Sequence, residues 1–148
     1  MSKPEVTDLR TALEFLRTEP GELVETDTPV EPNAQLSGVY RYVGAGGTVM
    51  RPTRTGPAML FKNVKGHPDA QVVIGVLASR NRVAKLFGVA PERLGYTLLE
   101  SVNNPIDPVV VSKDKAVCQE VVHLATDEDF DLFKLVPAPT NTPIQYLS

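Results

Sequence analysis

Few residues in this chain are equipped for bond chemistry, and their spacing limits what that chemistry could be. The two histidines, His67 and His123, could each serve as a general base, but neither is spaced to activate a nucleophile. His67 stands beside Pro68 in turn-forming sequence, where a solvated side chain is expected. Glu120 and His123 are three residues apart in a run of strand-like alternation, so on a strand they would face opposite ways and could not cooperate. Cys118 reads as a small buried hydrophobe on that strand rather than an activated thiolate. No Cys/His set has metal-ligand spacing. The run Asp127-x-Asp129-x-Asp131 matches the opening of a calcium loop. It has Leu132 where the sharp-turn glycine belongs and Ala138 at the twelfth position, so an acidic helix start is the better reading.

Two loops have anion-binding chemistry. Gly44-Ala45-Gly46-Gly47 could cradle a phosphate, but it follows a helix pattern, whereas phosphate loops run from strand to helix. The reading as a helix stop is preferred. Arg51-Pro52-Thr53-Arg54-Thr55 offers two guanidiniums and hydroxyls to a carboxylate, against the plainer reading of a solvated loop. Residue chemistry thus assembles no complete active site.

The elements that must position these residues centre on Gly56 to Gly66. Ala58 to Lys62 reads as a strand entered through Pro57, whose missing N–H suits a first strand residue. Asn63 and Gly66 supply turn chemistry. Gln71 to Leu77 is nearly all apolar, as in a strand covered on both faces. Ahead of them, Thr7-Asp8 can cap a helix carrying Leu9, Ala12, Leu13 and Leu16, which Pro20-Gly21 stops. Leu23 to Thr26 reads as a strand. Asn33 can cap a second helix with the stripe Leu36, Val39, Tyr40 and Val43. Ser79 can cap a third, with Val83, Ala84, Leu86 and Phe87 inside and Arg80, Arg82 and Lys85 outside, and Gly88 closing it. Pro91 opens a fourth that runs to Asn103. Pro108 to Val111 and Val117 to Leu124 read as further strands. A short helix is expected within Asp127 to Leu135, followed by a proline-rich tail that is extended and mobile, or docked on something outside this chain.

The 148 residues predict one domain, with 42% apolar and 22% charged residues, ordinary for a globular protein. The net charge of -3 and the lack of a basic run argue against a nucleic-acid surface. One cysteine allows no internal disulfide, which fits a reducing, cytoplasmic setting. No apolar run approaches the ~20 residues a membrane helix needs, and Met1 to Glu5 lacks the apolar core of a secretory signal. No membrane partner is therefore expected.

Several segments taken together resemble the N-terminal part of UbiD-type decarboxylases. These are Gly56 to Gly66, Ser79-Arg80-x-Arg82-Val83-Ala84, Cys118 to His123, Asp129-Phe130-Asp131-Leu132-x-x-Leu135 and Pro137-x-Pro139-Thr140. They occur in the family's order and cover nearly the whole chain from Asp8 on. Asn33 to Gly47 and Arg51 to Ala58 are most similar to the branch acting on protocatechuate, 4-hydroxybenzoate or gallate.

The resemblance implies a reversible, non-oxidative decarboxylation of a hydroxybenzoic acid by prenylated FMN, with a divalent metal and potassium as a further candidate. It also implies that these groups sit on a split-barrel domain starting about where this chain stops. None of the family's catalytic motif falls on a residue here, so no catalytic, cofactor-binding or metal-binding residue is assigned. After Pro143 the chain reads Ile144-Gln145-Tyr146-Leu147-Ser148, where the family continues with an acidic-Gly-aromatic run.

The expected fold is α/β, with α+β as the alternative: a mixed sheet of about four to five strands with packed helices. The expected division is a disordered N-terminus at 1–6 and an α/β domain at 7–116. A crossing strand and short helix of the barrel follow at 117–136, and an extended linker at 137–148. The expected function is an N-terminal fragment or subunit of an aromatic-acid decarboxylase, architectural and inactive alone, associating through an exposed face or as a homo-oligomer. The alternative is a non-catalytic module that binds itself or a partner.

Overall fold

The computed structural model describes residues 4–44, 56–124 and 126–140. Helix α1 spans Leu9–Thr18 and is opened by Asp8, whose carboxylate accepts from the Thr11 N–H at 2.8 Å while the Thr11 hydroxyl oxygen accepts from the Asp8 N–H. Strand β1 is Leu23–Thr26, helix α2 Gln35–Gly44, strand β2 Ala58–Phe61 and strand β3 Val72–Ile74. Helices α3 (Arg80–Phe87) and α4 (Leu94–Asn103) follow, then two single 3₁₀ turns and the one-turn helix α5 (Leu132–Leu135).

The sheet has three strands in the order β1-β2-β3, so β2 is central. It pairs in parallel with β1, Leu23 opposite Ala58 through Thr26 opposite Phe61, and antiparallel with β3, Met59 opposite Ile74. All four residues of β2 are buried, which an AMLF strand needs if both of its faces are to be covered. Met59 and Phe61 enter one cluster with Val30, Leu36 and Val64, roofed by Val39, Tyr40 and Val43 of α2. Leu23 is paired with Ala58, so by alternation it shares the Ala58 and Leu60 face. It packs with Ala12, Leu16 and Leu86 of α1 and α3. The parallel β1–β2 pair requires a long crossover, and α2 lies within it.

The sheet is smaller than the four to five strands expected. Pro108 to Val111 is extended but has no ladder partner among the described residues, and Val109 and Val110 are exposed. Val117 to Leu124 forms no strand: Val117–Gln119 is a 3₁₀ turn, and the alternation there has no layer to face. β3 stops at Ile74 rather than Leu77, because Gly75 takes φ +82° and Tyr40 fills the space a side chain would need. Asn33 does not cap α2. Ala34 adopts a left-handed φ of 58° instead, and the Gln35 side chain accepts from the Glu31 N–H at 2.7 Å. Gly88, with φ 67°, closes α3 as expected. The proline-rich tail is described as far as Thr140. Thr140 pairs with the residues just before α2. Residues 141–148 lie outside the described residues.

Candidate functional site

The most connected polar group is one that helix periodicity had placed in solvent. Arg82 is fully buried. Ser79 caps α3 and accepts from the Arg82 N–H at 3.3 Å, which fixes the helix start and turns the Arg82 side chain towards the sheet. Nε donates to Oε2 of Glu22 at 3.0 Å, Nη1 to the Gly75 carbonyl at 2.6 Å, and Nη2 to the Gly56 carbonyl. Glu22 precedes β1, Gly56 precedes β2 and Gly75 follows β3. Because β3 runs opposite to the other two, all three positions lie at one end of the sheet. One planar guanidinium therefore clamps every strand, using the fixed fork that lysine lacks.

The clamp continues to the surface. Lys85 sits 2.9 Å from Oε1 of Glu22 and 2.9 Å from Oε2 of Glu19. Hydrogen bonds to Glu19 and then Glu22 hold its ammonium above the ordinary value of 10.5. Two cations and two carboxylates neutralise one another, and among the described residues no buried side-chain N or O lacks a partner. A buried fork whose three nitrogens each donate within the fold is a structural joint rather than an anion site open to solvent. Its signal in the sequence was the spacing of Arg82 to Leu86, four residues apart and so on one helix face.

A cleft of about 540 Å³ between α1 and the end of α3 is lined by Phe15, Val89 and Pro91, with Glu19 and Lys85 among its polar lining. Glu19 and Lys85 are already paired to each other.

The residues singled out for chemistry do not converge. His67 lies in the turn after β2, its N–H donating to the Val64 carbonyl at 3.0 Å. His123 is exposed, its ring 6.2 Å from that of Phe130, and Glu120 is exposed as well. Cys118 is not the buried hydrophobe expected: it is exposed in the 3₁₀ turn. The acidic run serves as caps. Asp127 accepts from the Leu124 N–H at 2.8 Å and Asp131 from the Phe133 N–H at 3.0 Å. No three of the described His, Cys, Asp and Glu side chains group closely enough to hold a metal ion. Ala45 to Gly47 and Arg51 to Thr55 lie outside the described residues.

A different kind of surface runs from α4 to α5. Only Leu94 of α4 is buried, leaving Tyr96, Leu98, Leu99 and Val102 exposed. Ile106, Val109 to Val111, Val121, Val122 and Leu132 to Val136 continue the exposed apolar residues along the chain. Apolar surface on this scale marks a contact face.

A family model for the N-terminal domain of 3-octaprenyl-4-hydroxybenzoate carboxy-lyase, UbiD_N, matches residues 13–102. The chain belongs to the UbiD family. It is 55% identical over 136 residues to gallate decarboxylase of Lactiplantibacillus plantarum, covering 92% of this chain and 28% of that protein. The apo 3,4-dihydroxybenzoic acid decarboxylase of Enterobacter cloacae superposes with a TM-score of 0.79 at 56% identity, over 94% of this chain and 28% of that one. The UbiD-class enzyme HmfF of Pelotomaculum thermopropionicum, solved in complex with prFMN, superposes with a TM-score of 0.69 at 27% identity, over 93% of this chain and 29% of that one.

The UbiD chain described here thus spans a little over a quarter of its relatives' length, and its α/β fold with a mixed sheet is that of their N-terminal domain. Its described residues do not fit prenylated FMN by themselves. They assemble no metal-ligating group, and their one buried guanidinium is fully engaged. No described helix is long and apolar enough to cross a membrane.

Proposed function

We propose that this chain supplies the architectural N-terminal domain of a reversible, non-oxidative decarboxylase of hydroxybenzoic acids. Its role is to stand as a wall and support for a site built by a split-barrel domain that carries prenylated FMN, its metal and the acid–base groups. The observation that carries this reading is a mismatch within the chain. Its buried polar chemistry is spent on holding three strands together, while a long apolar face from α4 to α5 stays uncovered. That face is where the catalytic domain would pack, with residues 117–136 as its first elements. The identity to gallate decarboxylase supports an aromatic acid as the substrate class. A cytoplasmic setting fits the single cysteine.

The test is direct. The purified chain should be colourless after gel filtration and release no CO₂ from gallate or protocatechuate. Co-expression with the remaining length of a gallate decarboxylase should give a complex that does both. A chain that alone retains flavin or releases CO₂ overturns the proposal.

A second reading, a module that associates with itself, is favoured by the same exposed apolar face. Under it the chain elutes as a dimer or larger species at high concentration and does not capture the catalytic portion. Elution as a strict monomer counts against it.

A further inference from the structure

Ala34 is the one non-glycine residue with a left-handed backbone among the described residues, at the centre of a tight turn in which the Gln35 N–H donates to the Asn33 carbonyl at 2.6 Å. A side chain raises the energy of that conformation, so the contacts around it must hold it there. Beside the local turn, the tail supplies one such contact at Thr140. The Ala34 N–H donates to the Thr140 carbonyl at 2.7 Å, and the Thr140 N–H donates to the Pro32 carbonyl at 3.1 Å. Together they form a parallel bridge centred on Asn33. Every other hydrogen bond described within 105–140 is local to that segment. The polypeptide thus leaves the domain at Asn104 and runs largely exposed through α5, and among the described residues its hydrogen bonds tie it back at this point alone.

We propose that Thr140 and Ala34 form a strained latch that couples the polypeptide beyond residue 140 to the first turn of α2. Ala34 stands at both ends of the coupling. Its N–H meets the tail, and its carbonyl accepts the opening helical bond from the Gly38 N–H at 2.9 Å. Two residues on, Leu36 is fully buried against Met59 and Phe61 beneath α2. Closed, the bridge adds to the local turn in holding Ala34 in its costly conformation ahead of the helix start. Opened by a pull on the tail, it frees the Ala34 N–H and the Pro32 carbonyl, removes the tail's hold on the turn from which α2 starts and so loosens Leu36 in the core. Movement of whatever follows residue 140 is thereby reported to the central strand. The inference stands on this bridge alone and holds whether or not the chain supports a decarboxylase.

Amide hydrogen exchange followed by NMR on the 148-residue chain tests it. Ending the chain after Pro139 removes both bonds, and Thr140→Pro removes the donor to Pro32. Both changes should speed exchange at Gln35 and Gly38 by at least about tenfold, as the loss of one or two net hydrogen bonds from a local opening requires. Amides of α1 and α3 should keep their protection. Ala34→Gly in the intact chain removes the strain and should slow exchange at Gly38. Unchanged exchange at Gln35 and Gly38 in both tail variants overturns the latch. So does an equal loss of protection across α1 and α3, which would make the tail a general support. Faster exchange at Gly38 in Ala34→Gly overturns the stored strain.

Discussion

Val64 and Val110 carry the same side chain, yet the first is 1% exposed and the second 93%. Val64 lies where three strands, their connections and α2 close around β2. Val110 lies on an extended stretch with no ladder partner among the described residues. The difference is one of partners rather than composition. Up to Asn104 the apolar residues meet a second layer and polar groups are spent on joints. From Pro105 to Val136 apolar residues are as frequent, but among the described residues the order is local: turns, caps and the one-turn helix α5. Burial is a property of surroundings, and a segment that supplies one layer must borrow the other.

Breaking the sheet clamp should have the largest effect on that contrast. Arg82→Met leaves Glu22 beside an apolar chain and takes donors from the Gly56 and Gly75 carbonyls, a loss of about 3–5 kcal/mol in denaturant unfolding. Arg80→Met, two residues earlier on α3 and exposed, should cost under about 1 kcal/mol. Similar losses at both would mean that the guanidinium does not join the strands. Next in size is the core. Leu36→Ala should cost about 2–5 kcal/mol, whereas Val110→Ala should stay within about 0.5 kcal/mol. Equal costs at these two would erase the distinction between the regions. Gly75→Ala comes third, at about 1–3 kcal/mol, because φ +82° strains any side chain and the new Cβ meets Tyr40.

The front region was largely legible in the sequence, for local reasons. Asp8, Ser79 and Gly88 declare helix ends through their own side chains or backbone freedom. Ala58 to Lys62 declares a strand through its entry at Pro57 and the turn residues Asn63 and Gly66 that follow it. What the sequence hid was long-range. Arg82 looked like one cation among three because its partners are Glu22, Gly56 and Gly75, up to sixty positions away, and two of them offer only backbone carbonyls. The strands expected at 108–111 and 117–124 failed for the opposite reason. The valine run of the first and the alternation of the second are genuine, but a ladder needs a second strand, and neither pattern says which polypeptide provides it. The same holds for the candidate site. The exposure of Cys118 depended on a layer that these residues do not supply.

The smallest effect separates the regions by pH. The groups with displaced titration, Asp8, Glu25, Lys62 and Lys85, all lie in the front region. A hydrogen bond from Lys62, aided by Arg17, holds the Glu25 carboxyl below its ordinary 4.5, and the Thr11 N–H holds that of Asp8 below 3.8. The folded chain therefore releases these protons more readily than the unfolded one. Their contribution is full above the ordinary values and is lost as pH falls through them. Lys62 and Lys85 are displaced the other way, above 10.5, by Glu25 and by Glu19 with Glu22. The folded chain holds those protons more tightly, so their contribution is full below 10.5 and is lost as pH rises past it. Thermal midpoints should accordingly sag below pH 4.5 and again above 10.5. Because Glu25 is partly solvated and its partners are surface cations, Glu25→Gln should shallow the acid limb only slightly, and less so at high salt. Glu120→Gln, in the exposed region, should leave both limbs where they are. An acid limb that follows Glu120 instead of Glu25 would mean that the segment after Asn104 is packed in solution, and that the contrast between Val64 and Val110 is not one of partners.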